Sequence, residues 1–175
     1  MKWIALFRGI NVGGKHIVPM KELRELAVKI GFEEPKTYIQ SGNMVFGSAE
    51  KSVAKLEDIL ADAVEKRFGF RPFILMRRAA DIKHALDHNP FAKKVTEGKQ
   101  CHIYFLEGEG KYDEAALKEL ATDTEEFALE GDLLYLYAPD GVGSSKLAEK
   151  LPKYLPKRYT ARNLNSVQAV LDLVK

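Results

Sequence analysis

Lys36-Thr37-Tyr38-Ile39-Gln40-Ser41-Gly42-Asn43-Met44-Val45-Phe46 decides how this chain folds. Two short runs rich in β-branched and aromatic residues, Lys36 to Gln40 and Met44 to Phe46, flank Ser41-Gly42-Asn43. Gly and Asn tolerate positive φ, so these three residues mark a hairpin turn. Upstream, Leu23, Leu26, Ala27 and Ile30 recur at helical spacing. Pro19 suits the first turn of that helix and Gly31 stops it. Before the helix lie a Gly-rich loop over residues 9–18 and a bulky apolar run, residues 2–8, which reads as a buried strand. Downstream, Ser52 can cap a helix carrying Val53, Leu56, Ile59, Leu60, Ala63, Val64 and Phe68 on one face. Gly69 closes it, and Pro72 to Met76 is a fourth strand.

The order β-α-β-β-α-β then recurs. Residues 78–88 read as a linking helix closed by Asn89-Pro90, and residues 93–99 as a polar loop. Cys101 to Leu106 is a strand and Tyr112 to Ala121 a helix. Thr124 to Leu129 and Leu133 to Tyr137 are strands joined across Glu130-Gly131-Asp132, the counterpart of Ser41-Gly42-Asn43. Gly141, Gly143 and Ser144 lead into a helix with Leu147, Ala148 and Leu151 that Pro152 ends. Arg158 to Ala161 is a short last strand, and Asn163 to Val174 a closing helix capped by Asn163 or Asn165. The expected fold is α+β: two related ferredoxin-like (βαββαβ) subdomains with antiparallel or mixed sheets. The first covers residues 1–77 and the second residues 101–175 with its C-terminal helix, with a linking helix and loop over 78–100.

Composition agrees with a globular chain: 175 residues, 46% hydrophobic and 30% charged. The net charge of +2 makes no case for nucleic acid, but its distribution is uneven. Residues 1–100 carry 18 Lys and Arg against 12 Asp and Glu, residues 101–140 carry 2 against 11, and residues 141–175 carry 7 against 2. An acidic middle between basic regions fits either solvated faces that attract each other or an anion-binding surface. The single cysteine, Cys101, allows no internal disulfide and suits a reducing, cytoplasmic setting. No apolar run is long enough to span a membrane, and the N-terminus reads as a strand rather than a signal peptide.

Four stretches could carry chemistry. Gly9 to Lys15 matches the G-x-x-x-x-G-K spacing of a phosphate loop. However, His16 stands where the Mg²⁺-binding hydroxyl should be, and the helix starts only at Pro19, too late to press its N-terminus on a phosphate. A looser anion site made of backbone N–H groups with Arg8 and Lys15 stays open beside a plain connecting loop. In Gln40-Ser41-Gly42-Asn43 the turn accounts for Gly42 and Asn43 but not for Gln40 or Ser41, and Ser41 lacks the setting of a nucleophile. Asp140 to Lys146 precedes a helix, so Ser144 or Ser145 is a cap or part of an anion site. From Lys153 to Asn163, cations interleave with Tyr154 and Tyr159, as a solvated basic segment or a nucleic-acid contact would. His84 and His88 stand at i and i+4, a metal-compatible spacing, but with no nearby Cys and no evident third ligand; no metal is expected. No paired carboxylates suggest acid–base catalysis.

Several of these stretches resemble the motifs of one family. Arg8-Gly9-Ile10-Asn11-Val12-Gly13-Gly14-Lys15 with Val18-Pro19-Met20 and Leu23 is similar to the opening of the family called domain of unknown function 1697 (DUF1697). Thr37 to Asn43 with Val45-Phe46 is similar to its second signature. Asn89-Pro90-Phe91, Gly143 with Ser145-Lys146-Leu147, and Thr160-Ala161-Arg162-Asn163 with Asn165 resemble later ones. Leu164 departs from the Trp usual in the family. The resemblance implies two ferredoxin-like subdomains and supplies no activity. It groups Arg8, Asn11, Gly13, Gly14, Lys15, Gln40, Ser41, Gly42, Asn43, Arg162 and Asn163, polar and Gly residues at loops and strand ends. The expected role is binding an anionic, phosphate-bearing ligand such as a nucleotide or nucleic acid, without a cofactor. A structural or protein-interaction module and an enzyme acting on a phosphorylated substrate are the alternatives. Neither membrane attachment nor an oligomeric state is indicated.

Overall fold

The computed structural model describes residues 1–108 and 112–175. The protein is α+β, with two four-stranded sheets and six α-helices among the described residues. The chain divides into two units, Met1–Lys83 with Ala169–Lys175, and His84–Gln168.

In the first unit the sheet is formed by β1 (Lys2–Arg8), β2 (Glu33–Tyr38), β3 (Asn43–Gly47) and β4 (Phe73–Arg78), in the order β2-β3-β1-β4 and antiparallel throughout. The central strand pairs Trp3 with Phe46 and Ala5 with Met44 on one side, and Ala5 with Met76 on the other. Side chains of a strand alternate between faces, so Trp3, Ala5 and Phe7 point one way. They pack with Met44, Phe46, Ile74 and Met76 against α1 (Met20–Lys29) and α2 (Val53–Phe68), whose Leu23, Ala27, Leu56, Leu60 and Val64 complete the core. Ser52 starts α2 by accepting a hydrogen bond from the Lys55 N–H, and Gly69 ends it at φ 83°. Cations in its last turn, Lys66 and Arg67, face the negative end of the helix dipole.

β2 begins three residues before the expected Lys36, at Glu33. Pro35 cannot donate to the ladder, so pairing shifts register between Glu33 and Lys36, with Glu34 at φ 46°. The proline thus marks a bulge inside the strand rather than its edge.

The second unit contains β5 (Cys101–Leu106), α4 (Glu114–Leu120), β6 (Glu126–Glu130), β7 (Leu133–Tyr137), α5 (Lys146–Lys150) and β8 (Tyr159–Asn163). Its sheet is antiparallel in the order β6-β7-β5-β8, the order of the first sheet. Tyr104, Leu106, Leu117, Leu134, Leu136, Leu147 and Leu151 form its core. β8 runs two residues past the expected Ala161, pairing Arg162 with Ile103 and Asn163 with His102. Pro152 does not stop the chain's coiling, because a 3₁₀ turn over Leu151–Tyr154 accepts it near the start, where no N–H is needed. The unit boundary falls within α3 (Ala79–Asp87) and α6 (Leu164–Val174).

Candidate functional site

β1 ends where Gly9 turns the chain at φ 79°. The next residues fold back on themselves: the Lys15 N–H donates to the Val12 carbonyl over 3.1 Å and the Asn11 N–H to the His16 carbonyl over 3.0 Å. Gly13 and Gly14, at φ 59° and 72°, supply a two-residue turn that needs positive φ at both positions. Asn11 holds this small hairpin in place. Its Oδ1 accepts from the Val18 N–H at 2.7 Å, and its Nδ2 donates to the Val18 carbonyl at 2.9 Å and to the Gln40 carbonyl at 2.7 Å. One amide therefore ties the Gly-rich loop to the β2–β3 turn across 29 positions of sequence.

The turn is as tightly specified. The Gly42 carbonyl accepts from the Phe7 N–H at 2.8 Å. A Cβ on Gly42 would lie 2.6 Å from Phe7 Cβ and 2.7 Å from Ile10 Cδ1, at a φ of 84°. Only glycine fits there. Asn43 is fully buried and closes the turn from inside, donating to the Tyr38 carbonyl at 3.2 Å and to Ser41 Oγ at 3.1 Å. Asn11, Gly42 and Asn43 thus build the loops, while Gly13, Gly14, Lys15, Gln40 and Ser41 are presented at the surface or its edge. Arg8 is half-buried with its guanidinium carbon 4.4 Å from the centre of the Phe73 ring. His16 stacks on Phe70 at 4.2 Å, with Nδ1 3.1 Å from the Gly9 carbonyl.

In the second unit Arg162 is buried, and its guanidinium donates to Thr160 Oγ1 at 2.7 Å and the Ala161 carbonyl at 2.8 Å. Burial pushes its pKa down to about 10, which leaves it charged at neutral pH. His102 is held neutral, its pKa lowered to about 4 by burial and then by the charge of Arg162. Asn163 caps α6, its Oδ1 accepting from the Ser166 N–H at 2.8 Å. Ser145 caps α5 through the Ala148 N–H at 3.1 Å and gives its own hydroxyl hydrogen to the Glu125 carboxylate. That carboxylate lines the same cavity, about 270 Å³, as Asp140, Ser144 and Lys146. An acid at the mouth of so short a helix disfavours an anion. Cys101 is buried and its thiol pushed up to about 11, so it is inert at neutral pH.

Residues 1–135 match the family described as "Protein of unknown function (DUF1697)". The chain belongs to the DUF1697 family. The match contains both braced loops and the turn at Gly131, and it ends before Thr160 to Asn163. No curated protein matches the chain. Among solved structures, the conserved bacterial protein SP0830 from Streptococcus pneumoniae superposes with a TM-score of 0.74 at 24% identity, over 99% of this chain and 98% of that one. At that identity the likeness shows a shared α+β fold across the whole DUF1697 chain. No helix among the described residues is long and apolar enough to cross a membrane.

Proposed function

We propose that the protein binds a phosphate-bearing ligand, a nucleotide or a stretch of nucleic acid, on the paired loops of its first unit. The observation that carries this reading is the Asn11 bracket, which fixes the Gly-rich hairpin against the Gln40 turn while leaving Gly13, Gly14, Lys15, Gln40 and Ser41 exposed. A surface made rigid before binding loses little entropy when it binds. Residues 8–19 and 35–46 contain Arg8, Lys15 and Lys36 and no Asp or Glu, so the local field favours an anion. Lys15 supplies a mobile charge, the exposed glycine N–H groups supply donors, and Gln40 and Ser41 orient the ligand. The same absence of carboxylates leaves no general base among these loops apart from His16, whose ring is stacked and bonded to Gly9. That supports binding rather than catalysis.

A second reading has its own observation. Val12, Ile17 and Ile39 are 64%, 56% and 51% exposed on these loops, an apolar trio that suits a protein partner. A thermal-shift screen with nucleotides, sugar phosphates and short RNA separates the two. A rise in melting temperature that Lys15→Ala abolishes supports the anionic ligand. No shift with any of these compounds removes it and leaves the interaction surface.

We also read each unit as ferredoxin-like, supported by the second-third-first-fourth strand order and by helices in the two crossover positions. A cytoplasmic location is supported by the lone, buried Cys101.

A further inference from the structure

His84 and His88 lie one turn apart at the end of α3, and tertiary structure supplies the third ligand that their sequence neighbourhood lacks. Glu130, 46 positions beyond His84, ends β6 with its Oε1 3.2 Å from His84 Nε2. One ligand atom each from His84, His88 and Glu130 lie within 4.8 Å of one another, and all three residues are exposed. We propose that these three side chains form a site for a divalent transition-metal ion of the zinc class.

Four features of the second unit support the site. First, the donor set of two imidazole nitrogens and one carboxylate oxygen is one that zinc accepts, with water completing the tetrahedron. Second, the spacing is close to what the ion needs. Ligand atoms about 2.0–2.2 Å from a tetrahedral ion lie roughly 3.3–3.5 Å apart. The His84–Glu130 pair, at 3.2 Å, is close to that spacing, and the ligand atoms of all three residues lie within 4.8 Å of one another. Third, the proton inventory suits metal binding. His88 Nδ1 is 3.0 Å from the His84 carbonyl, which can only accept, so Nδ1 carries the hydrogen and Nε2 the lone pair. A ligating histidine commonly gives its other N–H to a carbonyl in this way. At His84 the ion replaces the proton shared between Nε2 and Glu130, and that proton passes to Nδ1. Fourth, the helix turn is anchored: the buried Tyr135 hydroxyl on β7 donates to the Ala85 carbonyl at 2.9 Å. This bond ties the His84–His88 turn to the sheet that carries Glu130.

An ordinary surface ion pair accounts for less. It needs one histidine, whereas here a second, His88, stacks on His84 at 3.9 Å and brings a ligand atom within 4.8 Å of the other two. The β6–β7 turn that carries Glu130 also carries Asp132 and no cation.

The test uses the full chain without a histidine tag, stripped with EDTA and titrated with ZnCl₂ by calorimetry. Expected are one Zn²⁺ per chain, a rise in melting temperature that EDTA reverses, and no heat with MgCl₂. His84→Ala and His88→Ala should each weaken Zn²⁺ by roughly tenfold or more, because each removes one of three protein ligands. Glu130→Gln should weaken it less. Imidazole NMR signals of the wild type guard against misfolded variants: Zn²⁺ should move those of His84 and His88 and leave His16 and His102 in place. Absence of binding at 100 µM Zn²⁺, unchanged binding in the His84→Ala/His88→Ala double variant, or shifts confined to His16 or His102 would overturn the proposal.

Discussion

The β2–β3 turn of the first unit and the β6–β7 turn of the second occupy the same place in the same strand order, yet they are built differently. Each receives a bond of 2.8 Å from the end of the central strand: Phe7 N–H to Gly42 in one, Leu106 N–H to Asp132 in the other. Around Gly42 the space is filled by Phe7 and Ile10, whereas nothing lies within 4 Å of a Cβ placed on Gly131. The first turn is packed under a carboxylate-free loop and bracketed by Asn11. The second stands open and is flanked by Glu130 and Asp132. Topology fixes where these turns occur, and the residues grafted onto them fix the charge each presents, Lys15 and Lys36 without a carboxylate around one, Glu130 and Asp132 on the other.

Glycine replacement probes the contrast most strongly. Gly42→Ala forces a clash and a left-handed alanine together, and should cost about 2–4 kcal/mol. Gly131→Ala, at φ 57° in open space, should cost about 1–2 kcal/mol, the conformational penalty alone. Urea denaturation of the two variants measures the difference, and equal losses would erase the distinction between packed and open turns.

The central strands differ as well. His102 pairs with Leu136 where Trp3 pairs with Phe46. Trp3 carries the Arg78 guanidinium over its face and does not titrate, whereas His102 has a folded pKa of about 4 against an ordinary 6.5. Between those values the unfolded chain binds a proton at this residue that the folded chain refuses. Folding stability should therefore fall as pH drops from 6.5 towards 4, by roughly 2 kcal/mol from this residue. The loss is the difference between the wild-type and His102→Phe stability profiles; parallel profiles would show that His102 titrates normally.

A smaller effect is expected at the bracket. Asn11→Asp keeps the acceptor for the Val18 N–H and removes both donors, so it should cost about 1–2 kcal/mol by chemical denaturation. It also puts a carboxylate on the proposed ligand surface, so phosphate-ligand binding should fall further than stability does. At the small end, Lys15→Ala should leave stability within about 0.5 kcal/mol of the wild type while lowering affinity for the phosphate-bearing ligand. A large stability loss would make Lys15 part of the scaffold.

Much of the fold was legible because it is written in local signals. Glycines and the capping Ser52 punctuate the chain, apolar spacing names each element, and Cys101–Leu106 and Leu133–Tyr137 were readable to the residue. The candidate site was legible only in pieces. Residue patterns left the Gly-rich loop and the Gln40 turn as two separate features, which only the family resemblance grouped, because the Asn11–Gln40 bond spans residues that periodicity does not relate. Arg162 read as part of a basic tail, but two further ladder pairs place it in β8 with its guanidinium turned onto its own strand. The His84–His88 spacing was visible, whereas Glu130 read only as a turn residue.

The sequence by itself determined which segments are helices and strands, their order, and the two hairpin turns, since propensity, capping and hydrophobic period act over a few residues. Tertiary structure alone decided which polar side chains entered internal hydrogen bonds, as Asn11, Asn43 and Arg162 did, and which met as a group, as His84, His88 and Glu130 did. Those outcomes depend on sheet register and helix placement, which bring distant residues within hydrogen-bond range and settle who keeps contact with water.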